Sequence, residues 1–239
     1  MKYGALALAA LLAITSCEAP GRRAAEEHVL RPNEVSDFRQ LYAQNCSGCH
    51  GVNGQRGLTV ALGNPVYLAI ADDASIRRIT AEGVPGTAMP AFAQRAGGFL
   101  TDAQIDIIVR GIRARWAKPD AVDKSNLPAY AALAPGDAAR GQNVFVTFCS
   151  GCHGPDGRSG RGGSIADSSY LALVSDQHLR TVTITGMPAL GAPDWRSDVP
   201  GRPLSEADVT DVVAWLAARR LPLTAQAHPS VLTARGGSR

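Results

Sequence analysis

The pentapeptide CSGCH stands at Cys46–His50 and again, letter for letter, at Cys149–His153. These two copies take four of the chain's five cysteines. Two thiols three residues apart lie one helical turn from each other, and the next residue offers an imidazole. C-x-x-C-H is a haem c attachment signature: each thiol adds across a porphyrin vinyl group, and the adjacent His supplies the proximal nitrogen to iron. The C-x-x-C pair also has other chemistries. It can be a dithiol redox pair, a disulfide in an oxidising compartment, or half a zinc site, and two pairs can combine on one zinc. None of these explains why His follows both times, or why each copy opens its own complete unit. The expected cofactor is therefore two covalently bound haem c groups, held by Cys46, Cys49, Cys149 and Cys152.

A sixth iron ligand is also legible. Once the first residue is set aside, only Met89 and Met187 remain. Each is followed by Pro, and each lies 34–39 residues beyond its His. An isolated Met is usually core filler. Here the count, the shared Met-Pro context and the duplication match distal ligation. The expected metal ligands are His50 with Met89 and His153 with Met187. Two filled axial positions favour electron transfer over chemistry at the iron. The thioether raises the potential relative to bis-His ligation.

The elements that must position these groups repeat. The two halves align at a constant offset of 103: Tyr42 answers Phe145, NPVYLAI answers DSSYLAL, and Gly83 answers Gly186. The segment before Met89 is then longer by five residues. Both units close on helix starts. Thr101 with Gln104, and Ser205 with Asp208, form capping boxes; Leu100 with Ile105, and Leu204 with Val209, form the staples beside them. Apolar spacing of three and four, as at Ile105, Ile108, Val109 and Ile112, argues amphipathic helices. DFRQLYAQN and DAARGQNVFVTF read as helices entering the Cys motifs, and Ser75–Ala81 and Asp176–Ile184 as helical pieces after them. No period-two run appears, so the fold is all-α.

These residues resemble those of tandem class I cytochromes c, bacterial lipoprotein type, over nearly all of the chain from residue 35 to 220. The resemblance implies two helical domains, at 35–116 and 137–220, each around one haem c and each with its first and last helices crossing beside the haem. In that family the crossing uses a Gly on the first helix and an aromatic one turn later. Gly141 and Phe145 fit, with Trp215 on the last helix; the first unit has Phe38 in place of that Gly, and Gly111 in place of Trp215. We expect reciprocal partners, Phe38 over Gly111 and Trp215 over Gly141, because close helix approach needs one small residue from either side. The family often sets a Pro carbonyl against the proximal His. Pro65 is the candidate in the first unit; its counterpart is Ser168, with Pro155 as the other proline near the second site. Unequal haem environments are expected.

MKYGALALAALLAITSC carries one Lys, then an apolar run too short to span a bilayer. It reads as a signal peptide, residues 1–17, whose ITSC resembles a lipobox with Cys17 acylated; ordinary cleavage with Cys17 left as a thiol is the plainer reading. Residues 18–34 read as a tether, 117–136, with three prolines, as a linker, and 221–239 as an irregular tail. This places the protein outside the cytoplasm, lipid-anchored to a membrane, on the periplasmic side in a Gram-negative cell. A net charge of +3 with interspersed signs, and no basic run with aromatics, gives no nucleic-acid surface. The expected partners are a membrane redox complex or soluble electron-transfer proteins. The alternative is a di-haem redox enzyme, a peroxidase or sulfur-compound dehydrogenase, which needs an exchangeable ligand position. His178, His28 and His228 read as solvated residues, GRSGRGGS at 157–164 as a flexible loop, and Arg219 and Arg220 as part of a solvated end.

Overall fold

The computed structural model describes residues 30–197 and 199–221. The expected signal peptide with Cys17, most of the tether with His28, and nearly all of the tail with His228 lie outside the described residues. Among the described residues there is no strand, only two isolated bridges. Of the segment up to Glu34, the described part is a single 3-10 turn, Pro32–Glu34.

From Val35 onward the helices come in two matching sets. The first is α1 Phe38–Asn45, α2 Ser47–His50, α3 Pro65–Ile70, α4 Asp73–Glu82 and α5 Asp102–Trp116. The second is α6 Ala138–Phe148, α7 Ser150–His153, α8 Ser168–Leu173, α9 Asp176–Thr185 and α10 Glu206–Ala217. Each longer start has a side-chain cap. Asp37, Asn64, Asp72, Asp137, Asp167 and Ser175 accept from backbone N–H groups that the first turn leaves without partners. Both capping boxes form as the sequence predicts. Their staples are buried: Leu100 and Ile105 are 5% and 0% exposed, Leu204 and Val209 6% and 0%.

The terminal helices of each set cross at a glycine, with reciprocal partners as expected. A Cβ on Gly111 would lie 2.1 Å from the Phe38 ring, and one on Gly141 would lie 2.0 Å from the Asp211 carbonyl and 2.8 Å from Trp215 Cβ. Beside the second crossing, Phe145 stacks on Trp215 at 4.3 Å. Beside the first, Trp116 meets Phe38 and Tyr42 edge-on. Around the crossings lie two apolar cores, one built on Leu41, Ile76, Ile105, Ile108 and Ile112, the other on Phe145, Leu171, Leu179, Ile184 and Val212.

Three features depart from what the sequence suggests. The linker 117–136 is docked, a feature its prolines do not announce. Arg180, 2% exposed, donates to the carbonyls of Ala129 and Tyr130 and to Thr210, and pairs with Glu206. Glu206 in turn accepts from Ala129 N–H, and Gln177 donates to the Tyr130 carbonyl. Arg220 is not merely solvated. It bonds the Leu171 and Val174 carbonyls and Asp176, while Arg113 reaches the equivalent Leu68 and Ala71 carbonyls and Asp73 in the first set. Arg219 lies over the Trp215 ring at 3.3 Å, a cation–π contact.

Candidate functional site

Each CSGCH copy is shaped by the helix before it. Helix α1 ends where Cys46 N–H bonds Tyr42 O, and a fresh turn, α2, starts at once: Cys49 and His50 N–H both point at Cys46 O, at 3.2 and 3.0 Å. The second copy repeats this at Cys149, with Cys152 and His153 at 3.1 and 3.0 Å. Both thiols of a pair thus sit on one tight turn with the imidazole after them. The turns end on Gly51 and Gly154, at φ +82° and +75°; a Cβ on Gly51 would meet the Gln55 carbonyl at 1.8 Å. The Tyr42 hydroxyl donates to Gly51 O at 2.9 Å and pins the first turn; Phe145, its counterpart, has no such handle.

The imidazoles are oriented alike. His50 Nδ1 lies 2.8 Å from the Val60 carbonyl, and His153 Nδ1 lies 2.8 Å from the Gly163 carbonyl. A carbonyl only accepts, so each Nδ1 carries the proton and each Nε2 keeps its lone pair for a metal. This corrects the expectation for the proximal side. Pro65 is instead the first residue of α3, and Pro155 sits in the turn after Gly154. Both rings use the carbonyl ten residues downstream, so their immediate partners match.

Cys46 and Cys49 are free thiols, and burial followed by the nearness of Cys49 pushes Cys46 up to about 12. Among the described residues no three His, Cys, Asp or Glu side chains gather as a metal-binding set, so the two pairs do not converge on one zinc site. The surroundings of the two copies differ in charge. Arg161 points Nη2 at Cys152 Sγ, 3.4 Å away, whereas Leu58 holds the equivalent place in the first unit.

Met89 and Met187 occupy turns after α4 and α9, anchored by Val84 N–H to Met89 O at 3.0 Å and by Met187 N–H to Ala192 O at 3.1 Å. Both are half-buried and neither belongs to an apolar core, so neither is core filler. Met187 lines a cavity of about 250 Å³ together with Pro188 and Leu190 of its own turn and Gln55, Thr59 and Asn64 of the first unit. His178 is a correction. Its ring is half-buried rather than fully solvated; burial, then the nearby His50, pulls it down to about 4. Thiol pairs, imidazoles with Nε2 to spare, and a Met turn per unit fit two covalent haem c groups.

No residue type marks the Val60 and Gly163 carbonyls in advance, because backbone acceptors leave no residue signature. Their shared distance from the His is the one signal that could have found them.

Both halves of the chain match the family described as "Cytochrome C oxidase, cbb3-type, subunit III", over residues 33–110 and 136–216. The chain is similar to the "Cytochrome bc1 complex cytochrome c subunit" of Corynebacterium diphtheriae, 24% identical over 76% of this chain and 65% of that protein. It is also similar to the "Cbb3-type cytochrome c oxidase subunit CcoP" of an Azospirillum species, 31% identical over 48% of this chain and 38% of that protein. The chain thus spans less than two thirds of either relative. A solved Kuenenia stuttgartiensis reducing HAO-like protein complex, Kustc0457/Kustc0458, is 16% identical with a TM-score of 0.44, covering 80% of this chain and 99% of that one. Matched over both of its halves, the chain belongs to the family of cbb3-type cytochrome c oxidase subunit III, as two tandem all-α cytochrome c domains that bind covalent haem c.

Proposed function

We propose that the chain is a di-haem electron-transfer protein serving a respiratory or photosynthetic membrane complex, as its subunit or as a carrier beside it. Cys46 and Cys49 hold the first haem and Cys149 and Cys152 the second. His50 with Met89, and His153 with Met187, would hold the two irons. The observation that carries this reading is the matched pair of imidazoles, each with Nδ1 committed to a carbonyl and each in a unit with its own Met-Pro turn outside the core. When bound, haem c supplies a one-electron ferric–ferrous couple. The Val60 and Gly163 carbonyls fix ring orientation and make the His nitrogens better donors to the metal. The Met thioethers would favour ferrous iron and leave no ligand position for a substrate.

The rim of the second site points to its partner. Arg158 and Arg161 lie exposed in the loop after CSGCH, and Arg202 lies over Phe148 just before Cys149. An acidic partner surface docked there would associate more slowly as salt rises, because exposed charges are screened beyond about 8 Å at physiological ionic strength. An acylated Cys17 would hold the protein to the outer side of a membrane. Lipid labelling that survives Cys17→Ser would remove that part of the proposal.

The deciding experiment is a potentiometric titration with axial-ligand spectroscopy on the full chain. Two high-potential His/Met centres inert to carbon monoxide support the carrier. One five-coordinate centre overturns it in favour of the enzyme. That alternative could draw on His178 in place of Met187, and the ligand spectra separate the two.

A further inference from the structure

Two hydrogen bonds run directly between the two haem units, and both end beside a methionine turn. Ala88, the residue before Met89, donates its N–H to the Leu173 carbonyl of the second unit at 3.2 Å. Asn64 donates Nδ2 to the Thr185 carbonyl, two residues before Met187, at 2.9 Å. Asn64 is 6% exposed and also works locally: its Oδ1 accepts from Val66 and Tyr67 N–H and caps α3. One amide therefore caps the start of a helix in one unit and the end of α9 in the other.

The duplication supplies an internal control. The counterpart of Asn64 is Asp167, which caps α8 through Ser169 and Tyr170 N–H. A carboxylate has no donor, so Asp167 performs only the local task. The side chain that bridges is an amide; the one that does not is an acid. Beside Asn64, Val66 is 4% exposed and enters the second unit's core, with Ala69 and Ile70 packed against it. The same amide lines the cavity that joins Met187 to the loop Gln55–Thr59, just before the Val60 carbonyl that holds His50.

We propose that Asn64 is a positioning residue for electron exchange between the two haems, its side chain holding the proximal loop of the first site against the methionine turn of the second. This rests on the electron-transfer reading, and its test separates the two. The test uses the full chain with both haems bound. Asn64→Asp keeps the cap but sets an acceptor against the Thr185 carbonyl; Asn64→Ser keeps a cap and removes the bridge without adding charge. Asp167→Asn is the control. Three readouts are taken: axial-ligand spectra, dipolar coupling between the two ferric irons, and the intramolecular exchange rate after rapid partial reduction.

Both Asn64 variants should keep the wild-type axial spectra, weaken the dipolar coupling and slow exchange by about tenfold, the scale on which losing one buried donor shifts a docked equilibrium. Asp167→Asn should change none of these. Wild-type coupling and rate in both Asn64 variants would overturn the proposal. So would altered axial spectra in them, since Asn64 would then support one site rather than the pair. Failure of the electron-transfer reading would show separately, as an open iron position in the wild-type protein.

Discussion

The reciprocal crossings make a sharp prediction about two alanines. Gly111 and Gly141 both lie inside helices, where Gly→Ala alone gains about 1 kcal/mol of helix propensity. What opposes that gain differs. At Gly141 the new methyl would stand 2.0 Å from the Asp211 carbonyl oxygen and 2.8 Å from Trp215 Cβ, both fixed to the α10 backbone. Relief requires the helices to separate, which loosens the Phe145–Trp215 stack beside the crossing. Overpacking of this kind costs up to about 3 kcal/mol. At Gly111 the obstructing atoms belong to the Phe38 ring, 2.1 Å away, and Phe38 is half-buried at the start of α1. The ring can rotate outward, so the clash and the propensity gain nearly cancel. Gly141→Ala should lose about 2 kcal/mol and roughly 10 °C in the melting of its unit. Gly111→Ala should stay within about 1 kcal/mol of the parent. Scanning calorimetry of the ferric holoprotein, with far-ultraviolet circular dichroism, reads both. Equal losses at the two sites, or no loss at Gly141, would refute the account of the crossings as one backbone contact and one side-chain contact.

Other consequences can be checked alongside. Arg180→Met should cost about 3 kcal/mol in urea unfolding, because it removes the donors to the Ala129 and Tyr130 carbonyls and the cation paired with Glu206, and it should expose 117–136 to limited proteolysis. Arg113→Ala and Arg220→Ala should each destabilise their own unit by about 2 kcal/mol, since each removes donors from three equivalent acceptors. His178, pulled from 6.5 to about 4 by burial and then by His50, folds best in its neutral form. Its contribution is complete above pH 6.5 and is lost as pH falls toward 4. His178→Gln should flatten that stretch of the stability–pH curve; an unchanged curve would show that the ring titrates as if exposed.

What was legible in the sequence was whatever side chains announce locally. The capping boxes, the two helical sets and the CSGCH turns follow from residues within a few positions of each other, and the reciprocal crossing followed from comparing Phe38 and Gly141 across the repeat. Less legible were interactions that end on backbone. The carbonyls of Val60 and Gly163 leave no residue signature, and the pull of Pro65 as an expected partner was misleading because Pro65 opens α3 while the Val60 carbonyl takes the His50 proton. Long side chains that find distant carbonyls were invisible for the same reason. Arg113 and Arg220 serve the same three acceptors, yet Arg220 aligns with Trp116 and not with Arg113. Alignment alone hides their equivalence, since a long guanidinium arm can reach one target from different registers.

The interface between the units was the least legible part, although the repeat did record it. Two copies in one chain need not pack symmetrically: a heterologous contact buries different surfaces on each copy and thus asks different things of aligned residues. The first turn of α3 is covered by the second unit while the first turn of α8 is exposed at Asp167 and Ser169, and the aligned pairs differ accordingly. Val66 answers Ser169, and Asn64 answers Asp167. Val66 is buried and Ser169 exposed; Asn64 must donate and accept, whereas Asp167 need only accept. Where one copy is apolar or amide and the other is hydroxyl or acid at the same position of the same helix, the difference follows from which copy is covered. The agreement between the two halves marks the shared fold and the shared haem chemistry. Their mismatches mark the covered helix, because only the copy that meets the other unit is relieved of facing water.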